Sequence, residues 1–335
     1  MTKARGLLDG TAADALRPAP DAGWRAPMLA TLTDRRFSSD AWLYERKLDG
    51  VRAIVTRDGG PPRLWSRNQL PMDASYPELV DALADRTPDR FVADGEIVAF
   101  DRGNTSFAKL QHRIHLEHPS ARDIAAVPVH LYLFDLLVVG DVDVTGLPLR
   151  DRKRLLRRGI EVGGPIHLST HRNGDGESYL EYACRHGWEG LIAKRADAPY
   201  RSGRSGDWLK FKCAFGQEFV VGGYTDPTGS RQGFGALLIG YYDEAGRLRY
   251  AGKVGTGFDT ATLRSLKARL DELAQPRCPF EPRAGERGAH WVRPELVAEI
   301  GFAEWTRDGR LRHPRFQGLR TDKQATEVVR ESGKN

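Results

Sequence analysis

The chain has 335 residues, 40% of them hydrophobic, which is enough to build two buried cores. No stretch approaches the ~20 consecutive apolar residues of a membrane helix, and the N-terminus lacks the apolar run of a signal peptide, so we expect a soluble, cytoplasmic protein. The formal net charge of +6 suggests a polyanionic partner without identifying it.

The cysteines at positions 184, 213 and 278 are widely spaced and form no Cys-x-x-Cys pair. This spacing argues against a disulfide framework and against a zinc site. We expect each cysteine to be a free, buried thiol.

The first segment, residues 1–24, mixes Ala, Pro, Gly and Asp without a hydrophobic period. Such a composition predicts a flexible lead-in with no core of its own. We therefore place the start of the first domain at residue 25.

The octet ERKLDGVR, residues 45–52, is the first segment whose residues suggest chemistry. Apolar triplets on both sides of it predict strands. Because side chains alternate across a strand, Glu45, Lys47 and Asp49 would share one face. Lys47 is a candidate nucleophile if burial or a neighbouring cation such as Arg52 lowers its pKa. The alternative is a solvated strand with ordinary surface charges.

Three polar or aromatic positions follow in the next predicted strands. Arg67 lies in a polar turn, where it either contacts a phosphate or is an ordinary hairpin arginine. Glu96 interrupts the apolar strand 91–100, and a carboxylate buried there needs a partner such as a metal ion or a sugar hydroxyl. Phe134 lies in the most apolar run, 129–138, and its composition alone indicates a core residue.

The basic segment 151–158 predicts a helix that either lies along a nucleic-acid backbone or presents a solvated face. Downstream, Glu189 and Lys194 flank a short apolar strand and are five residues apart. In a strict strand they would lie on opposite faces, so a shared pocket requires a bend or a position at the strand end.

Residues 208–213 alternate cleanly, which places Trp208, Lys210 and Lys212 on one face of a strand. Two lysines on one face repel each other unless an anion lies between them. The alternative is a pair of surface lysines whose stems cover apolar neighbours.

Beyond residue 216 the pattern changes to short strands separated by Gly and Asp turns. Three strands, one helix and two strands are expected, at 218–223, 236–241, 248–254, 259–274, 297–305 and 311–316. This order is typical of an OB-fold, a small barrel that often binds nucleic acid. The cationic tail, residues 311–323, suits the same kind of partner.

These segments together resemble the motif set of the covalent nucleotidyltransferases, which comprise ATP-dependent DNA ligases, RNA ligases and mRNA capping enzymes. The resemblance runs from about residue 27 to about residue 323 and is strongest to the ligase domain of bacterial ligase D and to free-standing bacterial end-joining ligases. It implies an α+β fold. A nucleotidyltransferase (adenylation) domain of antiparallel sheets with flanking helices spans 25–216, and an OB-fold β-barrel domain spans 217–335.

The resemblance also implies roles for individual residues. Lys47 is the catalytic nucleophile, Phe134 stacks on adenine, and Glu96 and Glu189 bind Mg²⁺ or Mn²⁺. The implied ATP contacts are Glu45, Lys47, Arg52, Arg67, Glu96, Phe134, Lys194, Arg204, Lys210 and Lys212. The implied pyrophosphate-orienting residues are Arg320, Asp322 and Lys323. The candidate DNA contacts are Arg152, Lys153, Arg154, Arg312 and Arg315.

The expected function is that of an ATP-dependent DNA ligase acting on nicked or broken double-stranded DNA in end joining. We expect a monomer that works with other end-joining proteins. An RNA ligase or a GTP-using capping enzyme is an alternative that shares most of the motifs. A non-enzymatic OB-type nucleic-acid binder is a second alternative, but it leaves Lys47, Glu96 and Glu189 without a purpose.

Overall fold

The computed structural model describes residues 16–114, 116–213, 215–227, 229, 232–306 and 308–331. The chain divides into two compact units, with the boundary directly after Cys213. Among the described residues, no helix is long and apolar enough to cross a membrane.

The first unit contains thirteen strands and five helices among its described residues. The strands are β1 (Arg17–Pro18), β2 (Met28–Leu32), β3 (Trp42–Arg46), β4 (Val51–Asp58), β5 (Arg63–Trp65), β6 (Arg90–Asp101), β7 (Asn104–Thr105), β8 (Val129–Val139), β9 (Val142–Asp143), β10 (Ile166–Leu168), β11 (His171–Asn173), β12 (Gly190–Arg195) and β13 (Gly203–Lys212). The helices are α1 (Pro77–Ala84), α2 (Phe107–Ile114), α3 (Ala121–Ala126), α4 (Leu149–Gly159) and α5 (Gly176–Arg185).

Two sheets organise this unit. The first has the order β1-β9-β8-β6-β4-β5, with β10 and β7 pairing on β8 and β6, and the second has the order β11-β3-β12-β13-β2. Most pairs are antiparallel, as expected for the adenylation domain. The apolar face of the first sheet packs against α1, α2 and α4 residues such as Leu79, Leu110 and Leu155. A smaller core that includes Tyr44, Leu191 and Phe211 lies behind the second sheet.

Strand register brings the residues of separate motifs into rows. Arg52 on β4 pairs with Glu96 on β6, and Glu96 pairs with Tyr132 on β8. On the second sheet, Ile192 on β12 lies between Glu45 on β3 and Lys210 on β13. Residues that are far apart in the sequence are therefore neighbours across each sheet.

The second unit is a sheet-rich domain with one α-helix among its described residues. Its elements are β14 (Phe215–Thr225), β15 (Leu237–Tyr242), β16 (Leu248–Val254), α6 (Thr260–Glu272), β17 (Ala274–Gln275), β18 (Ala289–Val292), β19 (Val297–Phe302), β20 (Glu304–Trp305), β21 (Leu311–Arg312), β22 (Arg315–Arg320) and a short 3-10 turn (Ala325–Glu327). Strand β14 is central and pairs with β15, β18 and β19.

The strands of the second unit differ from the prediction at several positions, and one of the differences is that the segment 297–305 is split into β19 and β20. Strand β18 is absent from the sequence analysis because only four residues form it, too few to show an alternating pattern. The segment 311–316 is split into β21 and β22, since His313 has φ 51° and Pro314 lacks a backbone donor. The second piece then continues to Arg320.

The predicted lead-in differs from the structure in its last part. Residues 1–15 lie outside the described residues. Arg17 and Pro18 pair with β9, and Ala19 and Ala22 are buried against the first unit. Residues 17–22 therefore belong to the folded unit.

The expectation of three free thiols is wrong for two of them. Cys184 and Cys213 form a disulfide, with 5.2 Å between their Cα atoms, and Cys278 is free. Cys184 lies at the end of α5 and is exposed, while Cys213 directly follows β13. Cys184 precedes β12 and Cys213 follows β13. Because these two strands are antiparallel neighbours, the two cysteines lie at the same end of the pair, which their spacing in the sequence does not predict.

Candidate active site

Lys47 lies directly beyond β3, where the strand meets the start of β12. Its backbone N–H donates to the carbonyl of Gly190 at 2.9 Å, and its ammonium forms an ion pair with Glu189. Gly190 has φ 147°, and a Cβ there would meet the carbonyl oxygen of Phe211 at 1.9 Å, so only glycine fits. Glu189 directly precedes β12, so of the two predicted arrangements, a bend or a position at the strand end, the structure has the second.

The ion pair decides the charge state of Lys47. Burial lowers the pKa of Lys47, but the adjacent Glu189 carboxylate outweighs this, and the net pKa is raised. Arg52 does not lower it, because its guanidinium pairs with Asp94. The sequence-based explanation through Arg52 is thus corrected: Lys47 is an ammonium, and it must lose a proton before it can attack.

Glu45 lies at the buried end of the same strand and holds two lysines. Its carboxylate accepts hydrogen bonds from Lys153 at 2.8 Å, Lys194 at 3.0 Å and the Ser169 hydroxyl at 2.9 Å. Burial alone would raise the pKa of Glu45, but the two lysines lower it to about 2. The carboxylate is therefore charged at neutral pH, as a buried charge must be when it is fully paired.

We predict that Glu45→Gln lowers the free energy of unfolding of the first unit by about 3–5 kcal/mol at pH 7, because Lys153 and Lys194 are left buried without their counter-charge. The folded-state pKa of Glu45 is depressed from 4.5 to about 2, so its stabilisation is complete above pH ~4.5 and is lost as the pH falls towards 2. Urea unfolding across this range tests both statements. Glu181→Gln, at an exposed position of α5, is the control, and equal stability of the two variants would contradict the prediction.

A second buried ion pair lies beside the first. Arg52 donates two hydrogen bonds to Asp94, and the Tyr200 hydroxyl donates to the same carboxylate at 2.6 Å. Asp94 is fully buried. The sequence analysis assigned no role to Asp94 or Tyr200. A signal existed for Asp94, since a charge in an apolar strand needs a partner, but Tyr200 is brought to it only by the tertiary fold.

Phe134 and Trp208 form the aromatic wall of the site. Their ring centroids are 6.0 Å apart in an edge-to-face arrangement, and the Lys194 ammonium lies 4.0 and 4.2 Å from the two centroids. Burial is the largest influence on Lys194 and lowers its pKa to about 8. Lys194 is 2% exposed, so a phosphate contact would require it to leave Glu45.

The structure corrects two of the expected DNA contacts. Arg152 is fully buried and binds Asp135 at 2.7 and 2.8 Å, and Lys153 is buried on Glu45. Both lie between Leu149 and Leu156 at helical spacing i, i+3, i+4, i+7, so they face the core. The leucines at 149 and 156 indicate this buried face in the sequence. The many cations of the segment nevertheless favoured the prediction of a nucleic-acid contact or a solvated face.

The other candidate DNA contacts lie on the surface. Arg154 is half-exposed and pairs with Asp151 at 3.0 Å. In the second unit, Arg312 and Arg315 are exposed, and Arg312 pairs with Glu304 at 2.6 Å. Exposed pairs of this kind are weak and exchange readily for phosphate contacts.

The remaining expected ATP contacts are accessible to different degrees. Glu96, Arg67, Lys210 and Lys212 are half-exposed, and Arg204 is exposed on β13. Lys212 pairs with Gly190 across β12 and β13, Gly190 accepts a hydrogen bond from the Lys47 backbone, and the charge of Lys212 lowers the pKa of Lys47. An anion between them would relieve this repulsion.

The expected pyrophosphate-orienting residues form a separate cluster in the second unit. Arg320 donates two 2.8 Å hydrogen bonds to Asp322 and lies 3.7 Å from Glu299. Lys323 pairs with Glu218 at 2.7 Å. Burial of Arg320 is outweighed by the neighbouring carboxylates, Asp322 first, which raise its pKa, and Arg320 in turn lowers the pKa of Asp322.

Comparisons with known proteins identify the family of the chain. Residues 27–212 match the model of the ATP dependent DNA ligase domain, and residues 230–323 match the ATP dependent DNA ligase C terminal region. The multifunctional non-homologous end joining protein LigD of Pseudomonas aeruginosa is 41% identical over 322 residues, which are 94% of this chain and 37% of LigD. DNA ligase C2 of Mycolicibacterium smegmatis is 32% identical over 84% of this chain and 87% of its own length.

Among solved structures, mycobacterial DNA ligase D complexed with ATP and MES is similar, with a TM-score of 0.64 and 37% identity over 91% of this chain and 98% of that one. The chain spans about two fifths of the length of the LigD proteins it matches. The expected α+β architecture of a nucleotidyltransferase domain and an OB-fold domain is confirmed. The chain belongs to the ATP-dependent DNA ligase family, as its motifs predict.

Proposed function

We propose that this chain joins DNA strands through a covalent lysyl-AMP intermediate on Lys47, in repair by non-homologous end joining. The observation that carries the proposal is the Lys47–Glu189 ion pair, fixed at one end by Gly190 and bordered by Lys212. This places one accessible amine in a cationic site with a carboxylate beside it. We assign the adenylation chemistry to residues 25–216 and the OB-fold to residues 217–335.

In the first step the Nζ of Lys47, after losing its proton, attacks the α-phosphorus of ATP. A nitrogen–phosphorus bond forms as the bond to the pyrophosphate oxygen breaks. Lys210 and Lys212 neutralise the phosphates, and Phe134 offers an aromatic face to adenine. The AMP then passes to a 5′-phosphate, and the neighbouring 3′-hydroxyl attacks that phosphate, which seals the strand and releases AMP.

The donor set of the site suits a hard divalent cation. Glu96 and Glu189 supply carboxylate oxygens, which Mg²⁺ and Mn²⁺ prefer. No group of three or more His, Cys, Asp or Glu side chains that could hold a metal occurs in the part of the chain that the structure describes. The cation would therefore be held by one or two carboxylates together with substrate phosphates, as is common for Mg²⁺. When bound, it would neutralise charge on the phosphates.

We predict that Glu189→Ala reduces self-adenylation by about 10²–10³-fold, because both a cation ligand and the partner of Lys47 are lost. Added Mg²⁺ should restore the rate only in part. The measurement is the rate of labelling with radioactive ATP as a function of Mg²⁺ concentration. Glu177→Ala, at an exposed position of α5, is the control. A wild-type rate and metal dependence in Glu189→Ala would show that this residue is only structural.

The substrate and partners follow from the family and from the surface. We propose nicked or broken double-stranded DNA as substrate, contacted by exposed arginines that include Arg154, Arg312 and Arg315. We further propose a cytoplasmic monomer that acts with other end-joining proteins. Sealing of nicked DNA and of nicked RNA, each with ATP or GTP, tests the choice of substrate. Preferential sealing of RNA, or labelling by GTP, would instead indicate an RNA ligase or a capping enzyme.

A further inference from the structure

The residue before the nucleophile makes contacts that neither the motifs nor the proposed chemistry explain. The guanidinium of Arg46 lies 4.5 Å from the ring centroid of Trp188, which directly precedes Glu189. It also donates a 3.1 Å hydrogen bond to the Oδ1 of Asn104. The Nδ2 of Asn104 donates at 3.0 Å to the carbonyl of His186. Arg46 thus contacts residues 186–188 through the Trp188 ring, and Asn104 contacts them through the backbone carbonyl of His186.

Asn104 lies at the tip of the β6–β7 hairpin, whose first strand carries Glu96. The next residue, Thr105, accepts a 3.2 Å hydrogen bond from the backbone N–H of Asp49 in the lysine motif. Three segments therefore meet here: the lysine strand, the hairpin of the Glu96 strand and the turn that leads to Glu189. Gly187 in this turn has φ 69°, a left-handed backbone conformation that favours glycine.

Placing an arginine at this position is unfavourable for the free energy of folding. We therefore do not regard the contact as incidental. The Nε of Arg46 is buried and has no hydrogen-bond partner. Burial also lowers the pKa of Arg46. A desolvated cation with an unsatisfied donor is unfavourable for the fold by itself. The stack on Trp188 is a favourable cation–π contact, but it does not supply the missing hydrogen bond.

We propose that Arg46, acting with Asn104, is a positioning residue that holds the 186–189 turn and thereby sets Glu189 beside Lys47. It does not touch the reacting atoms. By stacking on Trp188, Arg46 restrains the position of the adjacent Glu189 and its carboxylate. The backbone of Gly190 is held separately, by its hydrogen bond with Lys47. The inference rests on the proposed role of Glu189.

The test compares Arg46→Ala, Arg46→Lys and Asn104→Asp. Asn104→Asp keeps an acceptor for Arg46 but loses the donor to His186, so it breaks only the second half of the contact. Arg172→Ala is the matched control, because Arg172 makes the same kind of stack, 4.2 Å above Tyr179, and pairs with Asp175.

Two readouts separate positioning from general stability. Without metal or nucleotide, hydrogen–deuterium exchange of peptides covering residues 184–191 should speed up in Arg46→Ala and Asn104→Asp but not in Arg172→Ala. The Mn²⁺ concentration for half-maximal self-adenylation should rise about tenfold, as for other residues that orient metal ligands, with a smaller change in the KM for ATP. Arg46→Lys should recover part of the effect.

Unchanged exchange and unchanged Mn²⁺ dependence in folded Arg46→Ala and Asn104→Asp would overturn the inference. If Arg46→Ala does not fold, Asn104→Asp decides alone, since Asn104 is half-exposed at a hairpin tip. Failure of the wild-type protein to become adenylated would instead reject the proposed function.

Discussion

Lys47→Ala is expected to abolish ATP-dependent nick sealing, with a loss of more than about four orders of magnitude, as for removal of other covalent nucleophiles. The reason is geometric as well as chemical. Lys47 is the amine that Gly190 and Glu189 hold at the strand end, whereas Lys153 and Lys194 are buried on Glu45. The measurement is gel-based sealing of a nicked duplex with ATP.

A nick that already carries 5′-linked AMP is a substrate that bypasses the step in which Lys47 acts as nucleophile. Its sealing needs the 3′-hydroxyl but no lysyl-AMP, so Lys47→Ala should retain most of this activity. The fold should be little affected, because the ion pair is partly exposed, at 18% for Lys47 and 27% for Glu189, and such pairs contribute about 1 kcal/mol or less. Lys267→Ala, in an exposed ion pair on α6, controls for loss of a lysine. ATP-dependent sealing by Lys47→Ala would remove the basis of the proposal.

The second large effect is expected at Lys323. If Lys323 acts on the leaving pyrophosphate, Lys323→Ala should slow self-adenylation by about 10²-fold, since one lost charge contact to a transition state costs ~3 kcal/mol. Sealing of a pre-adenylated nick should fall much less, because that step expels no pyrophosphate. Both rates are measured in the same preparation.

Glu218 provides a matched control for this experiment. Glu218 pairs with Lys323 at 2.7 Å, so Glu218→Gln breaks this pair but keeps the cation. Equal losses in Lys323→Ala and Glu218→Gln, or equal losses in the two reaction steps, would show that the pair serves stability or general DNA binding. Arg320→Ala is less informative, because it leaves Asp322 and Glu299 largely buried without their counter-charge.

Local patterns in the sequence single out Lys47 and the strand-end position of Glu189, whereas the roles assigned to these residues stay predictions. Lys47 lies in a compact motif, and the spacing of Glu189 from Lys194 predicts either a bend or a position at the strand end, of which the structure has the second. Their ion pair, in contrast, is long-range, because it joins residues 142 positions apart and depends on the backbone contact between Lys47 and Gly190.

What the sequence does not predict is set by long-range pairing. Glu45 binds Lys153 and Lys194, which are 108 and 149 residues away in the sequence. Arg52 binds Asp94, which is 42 residues away. No local pattern encodes these pairs. The Cys184–Cys213 disulfide has the same origin, since two elements that are separate in the sequence end side by side.

Mass spectrometry of the wild-type protein after incubation with ATP and Mg²⁺ or Mn²⁺ tests whether a covalent AMP forms on Lys47. Peptide mapping then locates the modified residue. We expect one added AMP, on Lys47, and we expect this adduct to be lost when pyrophosphate is supplied. The absence of an adduct, or an AMP on Lys194, Lys210 or Lys212 with Lys47 unmodified, would contradict this expectation.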